Sequence, residues 1–513
     1  MRFFASYQLP PTRQGSMAYR IYNFVLCSWA FPIIGAFFLS TMCSQAQNSL
    51  VFDPAKFVVQ TQDFQGKTIK VRAYEKISYV ANPADAGQEV MNIYIPEEYF
   101  NNGTINSYTA TTAPIFFPNK VGGYMPAQPA TFIPQNGGGP GGPPSAAVVM
   151  ALSKGYVVAS AGARGRISPK GKAPAGIVDL KAAIRYLKFN DKLMAGDANK
   201  IISNGTSAGG AMSTLLGATG NHPDYEPYLK EIGAATATDN IFGVSAYCPI
   251  INLENADMAY EWQLNKIHAF KFRGKEGILN ADALKVSDDL KKAFPKYVND
   301  LKLKDKAGKK LELNAEGEGS FKEYVKSYLE ASAQKALSAG VDLSKHAFLK
   351  IEIDASNRSK VLSVDFDGYM TYLERMKTPP AFDALDNSSP ENQLFGTDTI
   401  DKRHFTSYAV QKSTSDASTM ADAQQIKMMN PMNYIGAKGA KASQYWRVRH
   451  GAKDKDTGFA VPIILATTLQ NKGFKIDFAL PWDRPHSGDY DLEELFDWID
   501  SICSPPTPNG GVK

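Results

Sequence analysis

The segment NGTSAGG at residues 204–210 constrains this chain more than any other part of its sequence. Residues 199–203 (NKIIS) precede it and predict a short strand, and the small residues that follow predict a helix. A serine on so sharp a strand-to-helix turn takes strained backbone angles and needs small neighbours, which Gly205 and Gly209 supply. The pattern therefore indicates that Ser207 is a nucleophile.

Short β-branched runs alternate with amphipathic segments on both sides of this motif. Residues 156–160 predict a buried strand, and residues 179–189 place their apolar side chains on one face of a helix. The same alternation of strand-like and helix-like segments occurs again near the carboxyl terminus. Residues 445–449 and 475–480 predict strands, and residues 491–502 predict a terminal helix. This alternation predicts an α/β fold with a mostly parallel sheet covered by helices.

Composition limits the classes of protein to which the chain can belong. Of its 513 residues 44% are hydrophobic and 21% are charged, which suits a large core and excludes a disordered or fibrous protein. A mean hydropathy of -0.27, with one long apolar run, argues against a polytopic membrane protein. The net charge of +5 is too weak over this length to indicate a nucleic-acid partner.

The long apolar run lies near the amino terminus, at residues 24–39, and it carries no charge. Three arginines precede it, and the small residues Ser44 and Ala46 follow at the spacing of a cleavage site. We expect residues 1–46 to be a secretory signal peptide that is cut after Ala46. The protein is then secreted or periplasmic, with no stable membrane association after cleavage.

Two alternatives for this leader are weaker. A membrane anchor is disfavoured because the run is short for a span and Pro32 interrupts it. A lipid anchor on Cys43 is disfavoured because Met42 is a poor residue before such a site. Translation could begin at Met17 instead of Met1, which would give a leader of more usual length.

Four cysteines are present, and two of them, Cys27 and Cys43, belong to the leader. The other two, Cys248 and Cys503, could form a disulfide in an oxidising compartment or remain buried thiols. Neither lies in a CxxC pair or in a metal-ligand spacing. We therefore expect no metal and no organic cofactor.

A nucleophilic serine needs a base, and the chain contains only six histidines. In enzymes with a serine on a strand-to-helix turn, the acid follows the serine and the histidine follows the last strand. His486 fits this order because it follows the strand predicted at 475–480. His450 lies at the end of a predicted strand, and His222 comes too soon after the serine. By elimination, His486 is the predicted base.

The acid should follow the preceding strand, where the sequence offers Asp454 and Asp456. Either carboxylate could orient the imidazole and stabilise its cation. Residues two apart in an extended loop cannot both face one histidine, so the pair predicts two different roles. The residue pattern leaves open which aspartate is the acid.

Two backbone N–H groups should stabilise the oxyanion. One belongs to Ala208, the residue after the nucleophile. The other should come from the loop after an early strand, where the glycine pair Gly122 and Gly123 lets the backbone approach a ligand. We predict Gly123 as this second donor.

The interval between Ser207 and the aspartates is much longer than two or three βα units require. Residues 265–350, rich in charged residues and alanine at helical spacing, predict a large, mainly helical inserted lid domain. Residues 136–144 (NGGGPGGPP) predict an irregular loop. The predicted organisation is a core in two parts, 47–247 and 433–503, with a lid at 248–432 and a flexible tail at 504–513.

Several longer stretches resemble the bacterial tannases, the tannin acyl hydrolases of the α/β-hydrolase superfamily. They are residues 118–125 (PNKVGGYM), 155–166 (GYVVASAGARGR), 200–262 around GTSAGGA, 377–383 (KTPPAFD) and 446–456. The resemblance covers nearly all of the mature chain. The departures are the loop at 136–144, which could alter the rim of the site, and the leader.

The resemblance implies an α/β-hydrolase core and a set of site residues. It implies Ser207 as nucleophile, Asp454 as acid and His486 as base, and it implies that Lys377, Glu391 and Asp456 hold the galloyl hydroxyls. Without it, Lys377 and Glu391 would be interpreted as surface charges of the insertion. Two carboxylates and an ammonium suit three adjacent phenolic hydroxyls, because carboxylates accept their protons and lysine donates to their oxygens.

The expected function is that of an exported serine esterase which hydrolyses galloyl esters of tannins and simple gallates through an acyl-enzyme. Its partners are then small-molecule or polyphenol gallate esters. One alternative is an esterase for another phenolic acid, such as ferulate, or a peptidase of the same superfamily. A binding protein that has lost catalysis is disfavoured, because all three members of the predicted triad are present.

Overall fold

The computed structural model describes residues 49–133, 146–272, 274–352, 359–416 and 418–503, all within one unit, Gln47–Lys513. The predicted signal peptide, the predicted loop at 136–144 and the predicted tail at 504–513 lie outside the described residues. No helix among the described residues is both long and apolar enough to cross a membrane.

Thirteen strands are described. In chain order they are β1 (Val58–Phe64), β2 (Lys67–Ser78), β3 (Val90–Pro96), β4 (Pro114–Pro118), β5 (Val157–Ala161), β6 (Asp197–Thr206), β7 (Gly243–Tyr247), β8 (Ala269–Phe272), β9 (Lys275–Ile278), β10 (Leu349–Glu352), β11 (Lys360–Val364), β12 (Tyr445–Arg449) and β13 (Lys475–Ala479). Nine of them form one sheet in the order β1-β2-β3-β5-β4-β6-β7-β12-β13.

Strand direction divides this sheet into two parts. β1, β2 and β3 pair antiparallel with one another, and β3 pairs antiparallel with β5. All neighbours from β5 to β13 are parallel. Every residue of β4, β5 and β7 is buried, as expected of parallel strands with helices on both faces. The predicted α/β fold with a mostly parallel sheet is confirmed.

The described residues contain thirteen α-helices beside the strands. They are α1 (Ala146–Ser153), α2 (Ala175–Phe189), α3 (Ala208–Ala218), α4 (Glu226–Glu231), α5 (Leu253–Leu264), α6 (Ala281–Asp300), α7 (Ser320–Ser338), α8 (Phe366–Leu373), α9 (Pro390–Leu394), α10 (Ser407–Lys412), α11 (Ala423–Met428), α12 (Ala460–Asn471) and α13 (Leu492–Cys503). The helices predicted at 179–189 and 491–502 correspond to α2 and α13. α2 begins earlier than predicted, at Ala175.

The segment between β7 and β12 contains helices α5 to α11 and two small antiparallel sheets, β8–β9 and β10–β11. Its helices agree with the helical spacing of the sequence, but the two hairpins were not predicted. Part of this segment has an aromatic core of its own. Trp262 of α5 packs against Phe294, Phe321 and Phe366, with ring centroids 5.2, 5.8 and 5.6 Å away.

Cys248 and Cys503 are both buried free thiols. Of the two alternatives that the sequence left open, the structure therefore has the buried thiols and no disulfide between them.

Candidate active site

Ser207 occupies the junction between β6 and α3. Its backbone angles, φ 61° and ψ -123°, lie in a region that strains a residue with a side chain. The Ser207 amide donates to the Tyr247 carbonyl of β7 at 2.9 Å, which holds the turn against the neighbouring strand. The serine therefore sits on a sharp, strained turn at the carboxyl end of the parallel strands, as the motif predicted.

The glycines beside Ser207 have no room for a side chain. A Cβ atom on Gly205 would lie 2.3 Å from the Gly209 carbonyl oxygen, and one on Gly209 would lie 2.8 Å from the Val121 carbonyl oxygen. Gly209 thus contacts the loop after β4. These contacts explain why the motif requires glycine on both sides of the serine.

Replacing Gly205 with alanine should lower the free energy of unfolding by about 1–3 kcal/mol and reduce activity, because the methyl group displaces the turn that carries Ser207. Gly87→Ala is the matched control, since Gly87 is exposed, lies outside the site, and a Cβ there would meet only Oδ1 of Asp85, at 3.3 Å. Thermal unfolding and ester hydrolysis measure both effects. Equal stability and activity of the two variants would contradict the steric argument.

His486 and Asp454 form a direct hydrogen bond, with Nδ1 of His486 2.7 Å from Oδ2 of Asp454. Asp454 is fully buried in the loop after β12, and its Oδ1 accepts a hydrogen bond from the Asp456 amide at 2.8 Å. The structure thus pairs the histidine with Asp454 and not with Asp456. Nε2 of His486 is 3.8 Å from Oδ2 of Asp456 and has no hydrogen-bond partner among the described residues.

The loop that carries His486 packs on the ends of β6 and β7. Asn204 donates to Asp489 at 2.9 Å, and the Cys248 thiol donates to the Ser487 carbonyl at 3.1 Å. Gly488 lies so close to Thr206, the residue before the nucleophile, that a Cβ would be 1.8 Å from its Oγ1. These contacts bring the histidine loop to the turn that carries Ser207.

Burial and charge act in opposite directions on the Asp454–His486 pair. Burial favours protonated Asp454, but its interactions with His450 and His486 outweigh burial and lower the Asp454 pKa to about 2. Burial also favours neutral His486, but the hydrogen bond to Asp454 and the negative charge of Asp456 outweigh it and raise the His486 pKa. The carboxylate therefore stays ionised and stabilises a charged imidazole.

The two predicted oxyanion donors belong to segments that meet at this turn. Ala208 is the first residue of α3. Gly123 lies in the loop after β4 with φ +55°, and its carbonyl accepts a hydrogen bond from Nε of Arg166 at 3.0 Å. Asn119 ties this loop to the turn, because its side-chain amide donates to the Asn204 and Gly209 carbonyls at 3.1 and 3.0 Å.

Lys377, Glu391 and Asp456 come together from two segments far apart in the chain. Nζ of Lys377 is 2.5 Å from Oδ1 of Asp456 and 3.9 Å from the centre of the Phe382 ring. Glu391 is buried, and its pKa is raised by burial, lowered by the charge of Lys377 and raised by that of Asp456. Lys377 and Asp456 thus form an ion pair beside the His486–Asp454 pair, and Glu391 is near enough to interact electrostatically with both charges.

Buried polar contacts of the insertion fix the backbone of Lys377. Arg375 and Glu261 are fully buried and form two hydrogen bonds, at 2.8 and 2.5 Å. Arg375 also donates to the Lys377 carbonyl at 3.1 Å, and the Lys377 amide donates to the Tyr260 hydroxyl at 3.0 Å. The backbone of Lys377 is therefore fixed by hydrogen bonds at both its amide and its carbonyl.

A second network fixes the helix that carries Glu391. Ser389 caps α9 in a capping box with Asn392, and the Asn392 amide donates to Asp383 at 2.7 Å. Asp383 is buried and also contacts His404, with Nδ1 of the histidine 2.7 Å from Oδ1. Glu391 is thus presented by a short helix anchored to a buried carboxylate.

The residue patterns did not indicate several residues of this region, including Arg166, Asn119, Cys248, Asp383 and His450. His450 is fully buried, with Nδ1 3.7 Å from Oδ2 of Asp454, and burial lowers its pKa. The sequence pattern locates His450 only at the end of a predicted strand. All five residues lie in the stretches that resemble the tannases, and that resemblance was the available signal for them.

Solved tannase structures are similar to this chain over most of its length. A tannin acyl hydrolase in complex with 3,4-dihydroxybenzoate is 47% identical with a TM-score of 0.84, covering 89% of this chain and 99% of that chain. Fusobacterium nucleatum tannase is 49% identical with a TM-score of 0.83, at the same coverage. A tannin acyl hydrolase in complex with ethyl gallate is 46% identical with a TM-score of 0.82, again at that coverage.

Shorter sequence matches point to the same superfamily. The BD-FAE family model, from an α/β-hydrolase family, matches residues 142–301. Esterase LipC of Mycobacterium tuberculosis is 39% identical over 79 residues, 15% of this chain and 19% of LipC. Esterase LipQ of the same organism is 29% identical over 108 residues, 21% of this chain and 24% of LipQ. The chain spans only about a fifth to a quarter of these two curated relatives.

The similarity to the solved tannases extends through the sheet, the turn at Ser207 and the insertion, and covers 99% of the compared chains. At 46–49% identity over that length, the chain belongs to the bacterial tannase family, ester hydrolases built on the α/β-hydrolase fold.

Proposed function

We propose that this protein hydrolyses galloyl esters and releases gallic acid, with Ser207 as the nucleophile. The observation that carries the proposal is the placement of a charged group, Lys377, Glu391 and Asp456, directly beside the His486–Asp454 pair. The family supports it, since one solved relative holds 3,4-dihydroxybenzoate and another holds ethyl gallate.

In the proposed reaction His486 acts through Nε2, the ring nitrogen that does not bond Asp454. It takes the Oγ proton of Ser207 as Oγ attacks the ester carbonyl, and the amides of Ala208 and Gly123 stabilise the oxyanion. His486 then gives the proton to the leaving alcohol, and a galloyl ester forms on Ser207. Water, deprotonated by His486, hydrolyses this intermediate and frees gallic acid.

The charged group selects the acyl portion of the substrate. Asp456 and Glu391 accept protons from phenolic hydroxyls, and the Lys377 ammonium donates to a hydroxyl oxygen. Without those hydroxyls buried Glu391 and the partly buried Lys377 and Asp456 lose hydrogen-bond partners, so such an acyl group is rejected strongly. The segment between β7 and β12 supplies both Lys377 and Glu391, and we assign it the role of a lid over the acyl group.

The test is a comparison of methyl gallate with methyl ferulate as substrates of the purified chain. Methyl gallate should be preferred by about 10⁴-fold in kcat/KM, since ferulate replaces one phenolic hydroxyl with a methoxy group and lacks another. A preference for ferulate would replace the galloyl proposal with the alternative of a feruloyl-type esterase, and the triad proposal would survive.

Activity should increase with pH. The base must be neutral, and Asp454 and Asp456 raise the His486 pKa above its usual 6.5, so the fraction of active enzyme rises through a pKa above that value. Asp456→Asn removes one negative charge and should shift this dependence to lower pH. This pH dependence can be measured without a phenolic substrate, from the rate at which a neutral fluorophosphonate labels Ser207.

Asp483→Asn is the matched control for this pH experiment, because Asp483 is an exposed carboxylate on the same loop as His486. It should leave the profile unchanged. A profile centred below pH 6.5 in the wild type, or equal shifts in both variants, would contradict the electrostatic account.

We also propose that the protein is exported and that its signal peptide is cut after Ala46. The support is the sequence of the leader, with basic residues, an apolar run and small residues in that order. Amino-terminal sequencing of the protein recovered from the periplasm or the medium should begin at Gln47. Recovery of full-length protein in the cytoplasm would contradict the proposal.

A further inference from the structure

Asp454, which pairs with His486, also belongs to a cluster of three side chains of the kinds that bind metals. The ligand atoms of Cys248, His450 and Asp454 all lie within 4.8 Å of one another, and all three residues are buried. Cys248 follows β7, whereas the other two follow β12, and the Cys248 amide donates to the Arg449 carbonyl at 2.7 Å. The fold thus brings together a thiol, an imidazole and a carboxylate that no sequence spacing signals.

A second observation concerns the hydrogen bonding of the His450 imidazole in this cluster. Neither Nδ1 nor Nε2 of His450 has a partner within the part of the chain that the structure describes, although the residue is fully buried. A buried polar group without a partner costs about 1–3 kcal/mol. Native proteins rarely retain such a group unless it serves chemistry or binds a water or an ion. Its Nδ1 is 3.7 Å from Oδ2 of Asp454, too far for a hydrogen bond but suited to sharing a ligand.

We propose that Cys248, His450 and Asp454 bind a thiophilic divalent cation such as Zn²⁺, and that the bound cation inhibits the esterase. Thiolate, imidazole and carboxylate are the three side-chain ligands that zinc prefers. Zinc bonds of about 2.0–2.3 Å place ligand atoms roughly 3.3–3.8 Å apart in a tetrahedron. The cluster reaches that spacing by small side-chain rotations, with a fourth position left for water.

Binding exchanges a proton for a metal and involves no oxidation or reduction. The Cys248 Sγ–H bond breaks, its proton passes to solvent, and an Sγ–metal bond forms. Asp454 uses Oδ2 for the metal, and this is the atom that accepts the 2.7 Å hydrogen bond from His486. His486 then loses the contact that orients it. This inhibitory consequence rests on the proposed function, but the binding of the metal does not.

The first experiment measures binding with the full chain. Equilibrium dialysis against Zn²⁺ should give one bound ion per chain, and Cd²⁺ should produce the ultraviolet absorption of a cadmium–thiolate bond. Cys248→Ala and His450→Phe should each weaken binding by about 100-fold or more, since loss of a direct ligand exceeds the 10–100-fold cost of losing an outer contact. His268→Phe, which changes an exposed histidine, is the matched control and should bind as the wild type does.

The second experiment measures inhibition of methyl gallate hydrolysis by Zn²⁺. The wild type and His268→Phe should lose kcat with little change in KM when Zn²⁺ is added, whereas Cys248→Ala and His450→Phe should each keep the rate that the same variant has without metal. Thermal unfolding verifies that the variants are folded. If Cys248→Ala is not folded, Cys248→Ser replaces it.

The outcomes separate the two proposals. The metal site is overturned if the wild type binds no Zn²⁺, or if the cysteine and histidine variants bind it as tightly as the control. Binding without inhibition overturns the inhibitory role. If the metal-free enzyme fails to hydrolyse methyl gallate, the proposed function is wrong, and dialysis still decides whether the site exists.

Discussion

Replacing Ser207 with alanine should lower kcat for methyl gallate by about 10⁵–10⁶-fold, the loss expected when a triad serine is removed. Without the Ser207 hydroxyl the proposed acyl-enzyme cannot form, so what remains is stabilisation of the transition state by the backbone amides and by substrate binding. The strained turn should persist, because alanine keeps the Cβ atom and the Ser207 amide still donates to Tyr247.

Ser203→Ala is the matched control for this variant. Ser203 lies on β6, four residues before the nucleophile, and its buried hydroxyl has no hydrogen-bond partner in the described structure. Its loss should leave kcat and thermal stability nearly unchanged. Release of gallic acid is measured for wild type and both variants, and near-equal turnover by wild type and Ser207→Ala would refute the serine mechanism.

The second large effect concerns recognition of the galloyl ring. Lys377→Ala should reduce kcat/KM for methyl gallate by roughly 10- to 150-fold, which corresponds to the loss of about 1.5–3 kcal/mol from one hydrogen bond to a charged group. The variant leaves Asp456 without the ammonium that now lies 2.5 Å away, and it removes the positive charge that most lowers the pKa of buried Glu391. A hydroxyl of the substrate then loses a charged donor.

The loss should depend on the substrate. Methyl benzoate has no hydroxyl to recognise, so Lys377→Ala should reduce kcat/KM for its slow hydrolysis by much less. For methyl 3,4-dihydroxybenzoate the reduction in kcat/KM should lie between those for methyl gallate and methyl benzoate. Lys455→Ala is the matched control, since Lys455 lies between the two aspartates of the site but its ammonium pairs with the exposed Glu374. If Lys377→Ala slows all three esters equally, the residue supports structure and does not read the hydroxyls.

The local part of the site could be predicted from sequence because each signal arises from neighbouring residues. The turn at Ser207 needs glycine at both flanks for steric reasons, and those glycines are visible in the motif. Period-2 and period-3.6 patterns located β12, β13 and α13 to within about one residue, because the buried faces of these elements are continuous. The order of serine, aspartate and histidine along the chain follows from the same elements.

Other features of the site escaped such reasoning because they depend on contacts between distant segments. The spacing of Asp454 and Asp456 predicted two different roles for them, but only the packing of the histidine loop on β6 and β7 pairs His486 with Asp454. Contrary to the expectation that only one aspartate faces the histidine, Asp456 also lies 3.8 Å from its other ring nitrogen. Lys377 and Glu391 have the composition of surface charges, and their meeting with Asp456 depends on the buried Arg375–Glu261 pair and the capped helix α9. No local pattern encodes these contacts.

The sequence by itself therefore determined the sheet, the strained serine turn and the candidates for acid and base, because backbone sterics and hydrophobic periodicity act over a few residues. The tertiary structure alone decided which aspartate bonds His486, that Lys377 pairs with Asp456, and that the buried His450 imidazole has no hydrogen-bond partner in the described part of the chain. Electrostatic and hydrogen-bond energies depend on distances in space, and packing of the insertion against the sheet sets those distances.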